Sequence, residues 1–272
     1  MPRPHRGAKS KAGCGIRAIL SGGCLLFILA AAKAQDGPVR LTAAISLAKK
    51  VVTLHEPAIL DIAFENPSQR GVVVNLGYDD EKLGVVVTDP GGKVVKKPRR
   101  VKSGWATPDI FNVSRGESSV GLVALNTWFS FDKTGVYRID VTLPPDSSPK
   151  EPFSYSIANN SATLDLTVLP RDGRSLESAC ADLVKMIEGS RSASESTAAA
   201  EALSSVDDPA VVPFLAQAMK RRGFTGMMIE ALSRLKTDDA VKALILASRS
   251  GDQETRALAH SALVGLGKEP PQ

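Results

Sequence analysis

A chain of 272 residues, 43% hydrophobic and 23% charged, can bury one large core or two ordinary ones and is too apolar to stay disordered. Its formal charge of +5 suggests a polyanionic partner, but residues 1–34 hold six cations and no carboxylate, leaving 28 cations against 29 carboxylates in the remainder. That near balance excludes a global pull toward nucleic acid.

Residues 1–34 read as a cleavable signal peptide, with an uncleaved membrane anchor as the alternative. A basic start precedes the apolar run "AILSGGCLLFILAAA" and the small-residue site Ala32-Lys33-Ala34, so cleavage is expected between Ala34 and Gln35. The run is short for a membrane span, which needs about 20 residues, and no second run is longer. The mature chain is therefore expected to be periplasmic or secreted and not membrane-spanning. Cleavage removes Cys14 and Cys24 and leaves Cys180 without a disulfide partner. Cys180 shares one helical face with Leu176, Leu183 and Ile187, as a small buried residue would.

From 35 to 170 the apolar letters recur every second residue. Leu60, Ile62 and Phe64 alternate with Asp61, Ala63 and Glu65; Tyr137, Ile139, Val141 and Leu143 alternate with Arg138, Asp140 and Thr142; Leu164, Leu166 and Val168 follow the same rule. Strict alternation predicts strands with one face on a core. Asn66-Pro67, Asp89-Pro90-Gly91-Gly92 and Asp132-Lys133-Thr134-Gly135 separate the runs, and the second predicts a hairpin. Seven or eight short strands over this length predict an antiparallel β-sandwich of immunoglobulin-like topology.

Pro170 ends that pattern. After a polar linker at 171–174 the period becomes helical, with helices predicted at 175–189, 193–206, 209–221, 224–236, 239–249 and 253–266, and a disordered tail at 268–272. Asp208 before Pro209 predicts an N-cap, Asp239 a second, and Gly267 a C-terminal stop. Pro213 is expected to remove a hydrogen bond inside the third helix and bend it. The five-residue break at 170–174 reaches only about 16–18 Å when extended, so the two halves are expected to sit close or dock.

The helices repeat their apolar letters. Ala202-Leu203 and Val206 recur as Ala231-Leu232 and Leu235, then as Ala262-Leu263 and Leu266, at spacings of 29 and 31 residues, while the polar letters between them drift. Stacked helix pairs have that signature, because each pair keeps the letters its neighbours pack against. The overall prediction is a multidomain β + α chain: the sandwich followed by an α-solenoid of three helix pairs.

"DQETRALAHSALVGLGK" resembles the second helix of a HEAT-type repeat, with Arg256, Ala259, Ala262, Leu263, Leu266 and Gly267 in that family's usual places, and "VDDPAVVPFLAQAM" resembles its first helix. Thr225 and Ser196 stand where the family's arginine is expected in the earlier repeats. The resemblance covers about 95 residues and implies a surface that binds another protein. The β half, with "LHEPAILDIAFENPSQRGVVVNLG", "VVVTDPGGKVV" and "WFSFDKTGVYRIDV", is loosely similar to immunoglobulin-like domains of bacterial proteinase-inhibitor type. No inhibitory loop is matched.

Catalytic motifs are missing from the mature sequence. It has two histidines, His55 and His260, one in each half, and no zinc-spaced Cys/His cluster, nucleophile elbow or phosphate loop. Asp79-Asp80-Glu81 reads as an exposed turn. No cofactor and no enzymatic activity are expected. Two surfaces are candidates for a protein partner. Lys96, Lys97, Arg99, Arg100 and Lys102 place five cations in seven residues ahead of Trp105. The outward row of the second helices contributes Glu201, Ser204, Glu230, Arg234 and Ser261, with Arg256 at the repeat's arginine position. The leading expectation is an exported interaction or scaffold protein. The alternatives are a glycan-binding module using Trp105 and Trp128, and a protease-inhibitor-like domain with a helical appendage.

Overall fold

In the computed structural model, residues 38–75, 83–96, 110–144, 154–190, 192–221 and 223–268 are described. The alternating half forms ten strands: β1 (Val39–Leu47), β2 (Val51–Thr53), β3 (Ile59–Glu65), β4 (Val72–Asn75), β5 (Gly84–Thr88), β6 (Ile110–Val113), β7 (Ser118–Ala124), β8 (Gly135–Thr142), β9 (Tyr155–Ala158) and β10 (Ser161–Leu169). They pair as two four-stranded sheets, β7-β3-β1-β9 and β2-β10-β8-β5, and a two-stranded sheet, β4-β6. The alternation decides which side chains are buried. Leu60, Ile62 and Phe64 of β3 and Tyr137, Ile139 and Val141 of β8 are buried, and together with Leu166 and Val168 of β10 they join one apolar cluster fed by both larger sheets. Each such side chain contributes about 1.5–3 kcal/mol by leaving water.

The expected all-antiparallel pairing is corrected in two places: β1 runs parallel to β9, and β2 parallel to β10. Only three residues separate β1 from β2, and two separate β9 from β10, yet each pair of segments divides between the two sheets. At these two places the chain crosses between the larger sheets side by side and in the same direction. Parallel neighbours need a long connection, which the whole intervening chain supplies. Side-chain alternation is the same for either direction, so it carried no sign of this.

The hairpin at Asp89 forms as expected. Gly92 takes φ +77°, and Asp89 N–H donates to the Lys93 carbonyl at 2.8 Å. Gly135, at φ +128°, lies under that turn: a Cβ there would sit 2.8 Å from the Pro90 ring, so no side chain fits.

The helical half forms α1 (Gly173–Gly189), α2 (Ala193–Ser204), α3 (Val212–Ala218), α4 (Thr225–Leu235), α5 (Asp238–Ala247) and α6 (Gln253–Gly265). Asp208 caps a 3₁₀ turn at Pro209–Val211, accepting from Ala210 N–H at 2.9 Å. The expected bend at Pro213 is corrected, because α3 begins only at Val212. Pro213 falls in its first turn, where a backbone N–H has no helical partner to lose. Asp239 is also corrected: Thr237 caps α5, while Asp239 pairs with Lys242 on the surface. Gly267, at φ +67°, closes α6 with Gly267 N–H donating to the Val264 carbonyl and Lys268 N–H to that of Leu263.

Helices α1, α3 and α5 touch in succession, as do α2, α4 and α6, and each odd-numbered helix packs on the helix that follows it. The recurring Ala202-Leu203, Ala231-Leu232 and Leu263 are buried in their shared cluster. Among the described residues no helix is long and apolar enough to cross a membrane.

The two halves lie within one compact unit. Helix α2 packs on β7, and Ala124 and Ile59 belong to the helical cluster while their neighbours Leu125 and Leu60 belong to the sheet cluster. Both strands are therefore apolar on two faces at this end. Arg171, just after β10, donates to the Asp208 carboxylate from Nε at 2.6 Å and from Nη2 at 3.1 Å. The linker and the capped 3₁₀ turn ahead of α3 are tied together by that pair.

Candidate functional site

Helix geometry places the drifting letters on the face opposite the repeated ones. Glu201 and Ser204 of α2, Glu230 and Arg234 of α4, and Ser261 of α6 all line one groove. Its volume is about 2370 Å³. Small-molecule pockets hold about 300–1,000 Å³, so this space suits a polypeptide segment better than a metabolite.

The groove is both charged and apolar. Among the described residues, Glu188, Glu201, Asp207, Glu230, Asp252 and Glu254 line it, against the three cations Lys220, Arg234 and Arg249. Leu246 on α5 is 73% exposed and Leu258 on α6 is 36% exposed, and both face the same space. Neither leucine was singled out from the sequence. A signal existed at Ala243–Leu246, four consecutive apolar letters where one helical stripe needs fewer. Leu244 takes the buried position and Leu246 is left outside.

Of the basic candidates on the helices, Arg234 lines the groove while its guanidinium donates to the Ser204 carbonyl, satisfying a backbone acceptor at the end of α2. Arg256 serves the local fold: its Nη1 donates to the Ser250 and Gly251 carbonyls at 2.7 and 3.0 Å, closing the α5–α6 turn. It is not among the residues lining the groove. On the β side, Lys96 is exposed at the end of the Asp89 hairpin. Lys97, Arg99, Arg100, Lys102 and Trp105 lie outside the described residues, as do Asp79-Asp80-Glu81, the signal peptide with its cleavage site, and 269–272 of the expected tail. Trp128 is buried in the sheet cluster.

Two buried groups, Cys180 and Glu56, are held by the structure around them. Cys180 is fully buried, and its thiol is pushed up to about 12 by that burial and by the carboxylates of Asp208 and Glu56. A thiol held protonated is a poor nucleophile. Buried Glu56 accepts from the Thr53 hydroxyl at 2.8 Å. Among the described residues no group of three or more His, Cys, Asp or Glu could hold a metal ion.

Asp61 stands apart. Its Oδ1 is buried without a hydrogen-bond partner, on the face of β3 that Ile59 turns toward the helices, and burial raises its pKa. An acid whose folded pKa is raised costs stability above that value, and the cost vanishes below the unfolded 3.8. Asp61→Asn is therefore expected to raise the thermal midpoint at pH 7, with the gain shrinking toward pH 4 in melts followed by circular dichroism. A gain of the same size at both pH values would mean the carboxylate's charge is not the cause.

No protein-family model matches the chain, and no curated protein matches it. Among solved structures it is similar to the CARDB domain of the PF1109 protein from Pyrococcus furiosus, at 20% identity and a TM-score of 0.27, over 48% of this chain and 94% of that one. It is also similar to a beta-glucosidase from Listeria innocua (10% identity, TM-score 0.26, 46% of this chain and 16% of that one) and to one from Erythrobacter marinus (11%, 0.25, 46% and 15%). Overlaps of this size bear on neither the activity nor the partners of this chain.

Proposed function

We propose that this chain is an exported, non-enzymatic interaction protein, in which an immunoglobulin-like β-sandwich braces a solenoid of three HEAT-like helix pairs that holds a segment of another protein. The observation that carries the reading is the groove: outward residues of α2, α4 and α6 meet in one space that also exposes Leu246 and Leu258. Exposed leucines in a concave, charge-lined surface are costly for a monomer and are expected where a partner covers them. The solenoid is supported by the order of helix contacts, and the sandwich by the single cluster that both larger sheets fill. Export rests on the signal-like residues 1–34. The buried, protonated Cys180 fits a scaffold better than a catalyst.

The test is a comparative pull-down from envelope extract with the mature chain and with a Leu246→Glu, Leu258→Glu variant. Proteins retained by the mature chain and lost with the variant are the expected result. An identical set with both would remove the groove from consideration.

A further inference from the structure

The groove's own chemistry names a class of partner. Among the described residues six carboxylates face three cations there, and Arg234 is already turned to the Ser204 carbonyl. Asp207, Glu230 and Glu254 make no ion pair or side-chain hydrogen bond among the described residues, so their charge faces the space unneutralised. The excess is local: from residue 35 onward the chain carries 28 cations against 29 carboxylates, so the surface outside the groove is close to balanced or slightly basic. Beside these carboxylates stand Leu246 and Leu258, which water solvates poorly. The hydroxyls of Ser204 and Ser233 stand among them, each donating to the carbonyl three residues back and keeping its oxygen as an acceptor.

We infer that the groove takes a cationic, leucine-bearing segment of a partner protein, its lysines or arginines against Glu230, Glu254 and Asp207 and its apolar side chain over Leu246 and Leu258. The inference rests on the binding reading above and adds the partner's charge. An acidic segment would meet a surplus of like charge, and a purely apolar one would leave the carboxylates desolvated without a counter-ion. Both outcomes cost free energy that a cationic segment recovers. Steering by the local field would also speed its arrival at low salt.

The probes are three fluorescein-labelled peptides of about 14 residues, long enough for about 21 Å of helix, each with the same leucines and with Lys, Gln or Glu at the remaining positions. Their binding to the chain from Gln35 onward, which contains the whole described unit, is read by fluorescence polarisation. The expected result is that the Lys peptide binds and the Glu peptide does not. Binding should weaken about tenfold in a Glu230→Lys, Glu254→Lys variant and on raising salt from about 50 to about 300 mM. A control with Glu117→Lys and Asp132→Lys, exposed carboxylates outside the groove, should bind as the unmodified chain does. Thermal melts show whether each variant is folded.

Equal binding by the groove variant and the unmodified chain would overturn the inference, since the peptide would then be reading charge elsewhere. Tighter binding of the Gln or Glu peptide would overturn the cationic class and leave the groove as a binding surface. Failure of all three peptides, alongside a pull-down that still depends on Leu246 and Leu258, would have the same meaning. A chain that is dimeric in light scattering and stays dimeric with the Lys peptide would assign the groove to a second copy and overturn the inference.

Discussion

Leu232→Ala is expected to lower the unfolding free energy by about 3 kcal/mol, within the range of about 2–5 kcal/mol that buried leucine deletions cost. Leu232 is fully buried on α4, the helix that touches both α2 and α6. A hole there deprives both neighbouring layers of contacts at once, and tight packing lets little of it close. The adjacent Ser233 is half-buried and its hydroxyl makes a local bond to the Glu230 carbonyl, so Ser233→Ala is expected to stay within about 0.5 kcal/mol. Urea unfolding of the pair measures both. A common slope with a shifted midpoint for Leu232→Ala alone is the expected pattern, because stability was lost without changing the surface exposed. A Leu232→Ala shift as small as that of Ser233→Ala would show that the repeated letters are not packing letters.

That contrast also shows what the sequence could say. Letters that face a core were legible wherever one period ruled. Leu60, Ile62 and Phe64 are buried as the alternation requires, and Ala202-Leu203 and Ala231-Leu232 as the repetition requires. Positions serving two neighbours at once were not legible. Ile59 falls on the side of its strand opposite Leu60, Ile62 and Phe64, yet helices cover that face. Strand direction left no trace either, since β9 alternates equally well beside a parallel or an antiparallel β1. Local chemistry was read unevenly. Asp208-Pro209 is a cap and first-turn proline as expected, whereas Pro213 proved harmless because the 3₁₀ turn ahead of it delays the helix. At the groove, Glu201 and Glu230 could be found by counting along helices. The turn-closing bonds of Arg256 could not be found that way, because its carbonyl partners lie five and six residues back in a turn whose path only the fold determines.

Asp208→Ala is expected to cost about 2–4 kcal/mol, combining a lost cap with a broken ion pair at the junction of the two halves. The carboxylate is nearly inaccessible to water and serves three donors: Ala210 N–H and the Nε and Nη2 of Arg171. Arg171 is about half exposed and can return its charge to water, which holds the cost below that of a fully enclosed pair. Asp208→Asn keeps a capping oxygen and loses only the charge, so it should fall between the mutant and the native chain. Arg171 in first place, with Ala210 N–H, holds the Asp208 carboxyl below its ordinary 3.8 despite its burial. The charge-dependent part of its contribution is thus complete above the unfolded value of 3.8 and fades as pH falls below it through the lower folded value. The difference between native chain and Asp208→Asn should accordingly be flat from pH 7 to pH 5 and narrow below pH 4 in urea titrations at fixed pH. A difference that stayed constant into acid would mean that the geometry of the cap, and not the ion pair to Arg171, joins the helices to the sheets.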